Sequence, residues 1–316
     1  MSIKMSLFFI LIGTMSIAQE KTVIPAFELG ILRQFPNVRD FTMSHDGSEA
    51  YFSAQSPLGE LSVIIRIEHN QGTWDHPEIV PFSGRYMDLE PFLSSDGLKL
   101  YFASDRPMNN DSKTPKDYDL WYVQRSNIND KWSKPINMGS AVNTEYNEFF
   151  PSIALNKNLY FTSDPPDSKG KDDIYFCEWK NGHYSKPISL SDSVNSDGYE
   201  FNAYVSPDES FLIYSCYNRS DGLGSGDLYI SYQKADLSWT KAINLGPEIN
   251  SEQMDYCPFV NLETKTLYFT SRRSNVEMPS DGFNSFQEFL NEVDGYENGL
   301  SRIYTCSFGN FLPKLK

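Results

Sequence analysis

One phrase recurs along this chain and limits what it can fold into. From Asp88 the sequence reads DLEPFLSSDGLKLYFASDRP, then DLWYVQR from Asp119 and WSKPINMG from Trp132. The same order returns from Glu148 (EFFPSIALNKNLYFTSDPP, DIYFCEW from Asp173, YSKPISLS from Tyr184). It returns again from Glu200 (EFNAYVSPDESFLIYSCYN, DLYISYQ from Asp227, WTKAINLG from Trp239) and from Asp255 (DYCPFVNLETKTLYFTSRR, then SRIYTCS from Ser301). A more divergent first copy reads RDFTMSHDGSEAYFSAQS from Arg39, ELSVIIRIE from Glu60 and WDHPEIV from Trp74. The central marker of each copy, Tyr51, Tyr101, Tyr160, Ile213 and Tyr268, advances by 50, 59, 53 and 55 residues.

Four strand-like runs per unit, at a period near 50, describe propeller blades. The first run is short and apolar, as an innermost strand should be. A Ser95-Asp96-Gly97 turn follows, which is a hairpin signal. Leu98–Ala103 then reads as a strand buried on both faces. A single blade cannot cover both its faces, so neighbouring units must stack. The expectation is an all-β propeller of four-stranded blades, five by count with six possible. One domain spans 19–316, with units near 39–87, 88–147, 148–199, 200–254 and 255–316. Phe27–Gly30 (FELG) matches Ile243–Gly246 (INLG), the end of an outer strand. An N-terminal strand is therefore expected to complete the last blade and close the ring, removing open sheet edges. Phe311–Lys316 competes for that place.

SSDGLKLYFASDRP, GSGDLYIS and WTKAINLGPEIN resemble the WD40-like (PD40, TolB-type) propeller repeat of exported proteins from Bacteroidetes-like bacteria. The resemblance runs from about Glu28 to Ser307. It implies the fold and carries no activity. Members are often six-bladed and often sit beside a peptidoglycan-binding or peptidase domain, neither of which is present here.

The N-terminus reads as a signal peptide over 1–18. Lys4 precedes an apolar stretch from Leu7 to Ile17, and Ser16-Ile17-Ala18 is a small-x-small cleavage site. The stretch is too short to span a bilayer as a helix. No Cys follows the cleavage site, so an N-terminal lipid anchor is not expected, and no later segment reads as transmembrane. The expected location is the periplasm or cell exterior. A net charge of −15 argues against nucleic acid as a partner. The oligomeric state is not encoded in any pattern seen here. Cys177, Cys216, Cys257 and Cys306 form no CxxC pair and read as small buried hydrophobes. A Cys216–Cys257 disulfide is geometrically conceivable.

Candidate chemistry lies where the inner strands begin. That repeat position holds Val38, Asp88, Glu148, Glu200 and Asp255, four of them acidic. Loops on the same face bring Arg106 and Arg272. The carboxylates can cap backbone amides once per repeat. They can also form a channel-mouth site for a cation or a polar ligand. Two of them could serve as acid and base in glycoside cleavage. The main reading is a binding propeller for a protein or glycan. The glycoside-active enzyme is the alternative, and no two of the four carboxylates are singled out for it. No cofactor is expected, a structural cation in the channel is possible, and no metal ligand set is identified. A second repeated acid (Asp119, Asp173, Asp227, with Glu60 in the first copy) reads as a turn-former, and Trp74, Trp132 and Trp239 as outer-strand packing. The Gly222–Asp227 stretch (GLGSGD) precedes no helix, and His45, His69, His76 and His183 are scattered. An insertion, Asp281–Gly299, holds a short amphipathic segment with Phe283, Phe286, Phe289 and Leu290 on one side. It is either a binding element or a cap on the ring edge.

Overall fold

The computed structural model describes residues 23–26, 29–108 and 116–313. The proposed signal peptide lies outside them. The chain forms a five-bladed β-propeller. Blade 2 shows the plan: Asp88–Leu93 is innermost, followed outward by Lys99–Ser104, Asp119–Gln124 and Ile136–Asn137, all antiparallel. The inner strands of blades 1, 3, 4 and 5 are Asn37–Met43, Glu148–Ile153, Tyr199–Val205 and Asp255–Asn261. Second-strand aromatics, among them Phe52, Phe102, Phe161, Tyr214 and Phe269, are fully buried between blades. That is the stacking the repeat requires.

The ring closes as expected, with a shift in register. Ile24–Pro25 pairs with Arg302–Ser307 and supplies the outer strand of blade 5, with Ile24 opposite Thr305. In blade 4 the same place is taken by Ile243, opposite Ile230. The closing strand thus precedes the FELG match by three residues. Ladder hydrogen bonds are made by backbone, so a two-residue strand carries little side-chain signature. The chain after blade 5 forms a single 3₁₀ turn, Gly309–Phe311, with Phe308 stacked on Phe311.

The SxDG turns close the inner hairpins. Asp46 and Asp96 each accept from the serine two residues earlier and from a backbone amide two residues later, and Gly47 and Gly97 take positive φ. The second repeated acid also works within its blade. Asp119, Asp173 and Asp227 accept from Asn137, Ser189 and Asn244 of their outer strands. All four cysteines are buried free thiols. Cys257 donates to Asp40 in the channel, so no bond joins it to Cys216.

Every inner strand breaks its pairing at the same place. Register shifts fall between Arg39 and Thr42, Leu89 and Phe92, Phe149 and Ser152, Phe201 and Tyr204, and Tyr256 and Phe259. Inside each bulge one residue has left-handed backbone: Asp40, Glu90, Phe150, Asn202 and Cys257, with φ of 62°, 58°, 48°, 53° and 52°. A bulge re-aims a side chain. Here five of them bring five different side chains to the axis of the propeller.

Candidate functional site

The acidic positions found in the sequence lie one step back from the axis. Asp88, Glu148, Glu200 and Asp255 are fully buried. Three of them accept from the backbone amide and hydroxyl four residues upstream: Glu148 from Thr144, Glu200 from Ser196 and Asp255 from Ser251. Asp88 accepts from Ser104 and Arg106. Arginine completes the pattern in three blades. Arg106 pairs with Asp88, Arg219 with Glu200 and Arg273 with Asp255. Each guanidinium also donates to a carbonyl of the loop entering its blade, at Phe82, Val194 and Ile249.

Blade 3 lacks such an arginine. Burial raises Glu148 to about 8, against the Thr144 hydroxyl and amide, and its Oε2 has no hydrogen-bond partner among the described residues. Burial also raises Asp88 and Asp255, against their arginines. These residues clamp each blade to the loop before it. Of the two arginines read from sequence, Arg106 belongs to such a clamp. Arg272 does not: its neighbour Arg273 does that work, while Arg272 is exposed and lines the channel mouth.

The axis itself is held by side chains that the sequence pattern did not bring forward. Arg39, one-fifth exposed, bonds Asp40 at 2.6 Å and Glu90 at 2.8 Å and lies over the Tyr256 ring. Asp40 also accepts from the Cys257 thiol at 2.8 Å and from the Glu90 amide at 3.2 Å. Glu90 accepts from Asn202 Nδ2 at 3.2 Å and from the Phe150 amide at 2.7 Å.

The last bond has a structural reason. The bulge amides of Asp40, Glu90 and Asn202 each donate to a second-strand hydroxyl of the preceding blade, on Thr270, Ser53 and Thr162. Blade 2 has Ala103 at that position, opposite Leu89, so the Glu90 carboxylate takes the Phe150 amide instead. Burial raises Glu90 to about 7, against the pull of Arg39. Burial also pushes the Cys257 thiol well up, so it is a poor nucleophile here.

Above this network opens a cavity of about 320 Å³. Phe149, Phe201 and Tyr256 give it aromatic walls, and Arg39, Arg272, Glu90 and Asn202 give it polar groups. None of the four clamp carboxylates lines it. The opposite mouth is different, a cavity of about 430 Å³ lined largely by apolar residues such as Phe92, Ile153 and Phe259. Among the described residues no cluster of three or more His, Cys, Asp or Glu side chains could hold a metal ion. No helix among them is long and apolar enough to cross a membrane.

Compared with solved structures, the chain is similar to a protein of Agrobacterium tumefaciens assigned provisionally as TolB. The two share 14% identity and a TM-score of 0.50 over 86% of this chain and 91% of that one. It is also similar to a glycoside hydrolase, at 9% identity and a TM-score of 0.55, over 89% and 91% of the two chains. At such identities the likeness is one of fold. No protein-family model and no curated protein matches the chain.

Proposed function

We propose that this chain is an exported, ligand-binding propeller that takes a glycan in the polar mouth of its channel. The observation that carries the reading is the cavity lining. Aromatic faces at Phe149, Phe201 and Tyr256 stand among fixed donors and acceptors at Arg39, Asn202 and Glu90, with exposed Arg272 at the rim. Sugar rings present apolar faces edged with hydroxyls, which such a lining suits. The volume falls within the range of small-ligand pockets, roughly 300–1,000 Å³.

Binding is favoured over glycoside cleavage by the state of the two axial carboxylates. A glycosidase needs one carboxyl group free to protonate the leaving oxygen and another free to attack or to activate water. Here one guanidinium bonds both Asp40 and Glu90, and backbone amides hold a further oxygen of each. Both side chains are committed to the fold, which leaves Asp172, raised by burial, as the remaining carboxylate of the cavity lining where a glycosidase needs two.

Calorimetry against neutral and uronic-acid oligosaccharides tests the reading. One class should bind, and Phe201→Ala and Arg272→Gln should each weaken it roughly tenfold with little change in melting temperature. Release of reducing ends from a bound oligosaccharide, abolished by Glu90→Gln, would move the protein to the enzymatic reading. No binding by any sugar would remove the glycan.

A further inference from the structure

Between the second and third strands of blade 5 the chain departs from the repeat over 274–299. The neck of this excursion is well anchored. Asn275 donates to the Glu297 carbonyl, and Tyr296 is buried against Tyr304 with its hydroxyl on the Ile303 carbonyl. Its tip is a helix, Phe286–Val293, in which no residue is buried. Phe286, Phe289, Leu290 and Val293 fall at the i, i+3, i+4, i+7 spacing of a single stripe. Phe286 is 74% exposed, and Met278, in the loop that precedes the helix, is 78% exposed.

Local bonds hold this helix together. Ser285 accepts from the Glu288 amide, and Glu288 accepts from the Asn284 amide, a reciprocal cap. Glu292 takes the Glu277 amide and ties the preceding loop to the helix. Helices this short draw most of their stability from packing of an apolar face; here Phe289 meets Phe283 edge-on and the rest of the stripe faces outward.

Charge narrows what can cover it. The segment carries Glu277, Asp281, Glu288, Glu292, Asp294 and Glu297 and no Lys, Arg or His. We propose that it is a docking surface for a protein partner presenting a basic amphipathic segment. Apolar side chains of the partner meet the Phe286–Phe289 stripe, and its cations meet the acidic rim. A second copy of this chain is disfavoured, because a two-fold contact sets the same acidic rim against itself. An anionic lipid surface is disfavoured by the same sign of charge. The surface is separate from the channel reading and does not depend on it.

The probe is a short helical lysine–leucine peptide with leucines on one face. It is titrated by fluorescence anisotropy into the full chain beside a scrambled peptide of the same composition. Phosphatidylglycerol vesicles and sedimentation of the protein alone complete the set. The amphipathic peptide should bind, should weaken as salt rises, and should lose roughly tenfold or more in affinity to Phe286→Ser with Phe289→Ser. Phe286 is the more exposed ring, so Phe286→Ser alone should keep the melting temperature, while Phe289→Ser also removes its edge-on contact with Phe283. Equal binding of the scrambled peptide, or binding unchanged in the double variant, would overturn the proposal. So would vesicle binding, or self-association that the variant abolishes.

Discussion

At the repeat position near the start of the inner strands four blades carry an acid, and two residues further on all five residue types differ. Asp88, Glu148, Glu200 and Asp255 are one chemistry repeated, and each faces its own blade's loop and, in three cases, its own arginine. Asp40, Glu90, Phe150, Asn202 and Cys257 share one unusual backbone conformation but not one side-chain chemistry: they are two carboxylates, a ring, an amide and a thiol. A position that must do the same job in each blade keeps one residue type. A position on the symmetry axis sees all five blades at once, so its members can divide a task among them. Repetition marks the scaffold here, and divergence within a repeated backbone marks the place where a ligand would be met.

The sharpest way to break that contrast is Asp88→Ala. It strands the Arg106 guanidinium, which is buried against Phe102 and Trp121. Removing one partner of a buried ion pair costs about 3–5 kcal/mol. Differential scanning calorimetry should show a fall of roughly 5–15 °C in melting temperature. Below that temperature, ligand binding in the channel should survive. A variant that melts like the parent but no longer binds would reverse the roles of the two rings.

Arg39→Met is the matching change on the axis, and its cost should depend on pH. Asp40 and Glu90 would remain buried without their shared cation. Glu90 already stands at about 7 in the fold, raised by burial against Arg39, above an ordinary 4.5. Stability tied to a raised carboxyl pKa is full below the unfolded value and is lost as pH rises through the folded one. The lost bond to Asp40 counts at every pH, and the deficit should grow above pH 7, where ionised Glu90 also lacks its cation, by about 2–3 kcal/mol of charge-assisted bonding. Urea melts across that range measure it. Channel binding should be lost at every pH, and a variant that still binds would place the ligand elsewhere.

The repeat and the blade count could be read from sequence because each follows from residue patterns spanning a whole blade, whereas closure by an N-terminal strand was expected from the short FELG match and falls three residues before it. The clamp was half legible. Its acids align in the repeat, but the arginine is defined by reach. Arg106 and Arg273 both follow their aspartates by 18 residues, and the exposed neighbour Arg272 stood in for Arg273. The axial network was not legible. Its five members sit in left-handed backbone, which glycine or asparagine announces and glutamate, phenylalanine or cysteine does not. Arg39 lies in the most divergent copy, where no repeat neighbour points to it. The one signal available was the lack of agreement at the second residue after each acid.

Glu148 gives the smallest effect at acidic pH and refines the scaffold side of the comparison. It occupies the clamp position of blade 3 without an arginine, and burial holds it near 8, far above 4.5. Its contribution to stability should be complete below about pH 4.5 and decline as pH rises through 8. Glu148→Gln keeps an oxygen for the Thr144 amide and hydroxyl and cannot ionise. At pH 5 the variant and the parent should unfold alike. At pH 9 the variant should be the more stable by several kcal/mol, about 4–5 at most for a carboxyl raised from 4.5 to about 8. Placing a cation nearby should erase the gain, because an ionised Glu148 would then be paired as Asp88, Glu200 and Asp255 are. If Glu148→Gln instead costs stability equally at both pH values, the carboxylate is ionised in the fold. Blade 3 must then neutralise it by some means other than the arginine clamp of its neighbours.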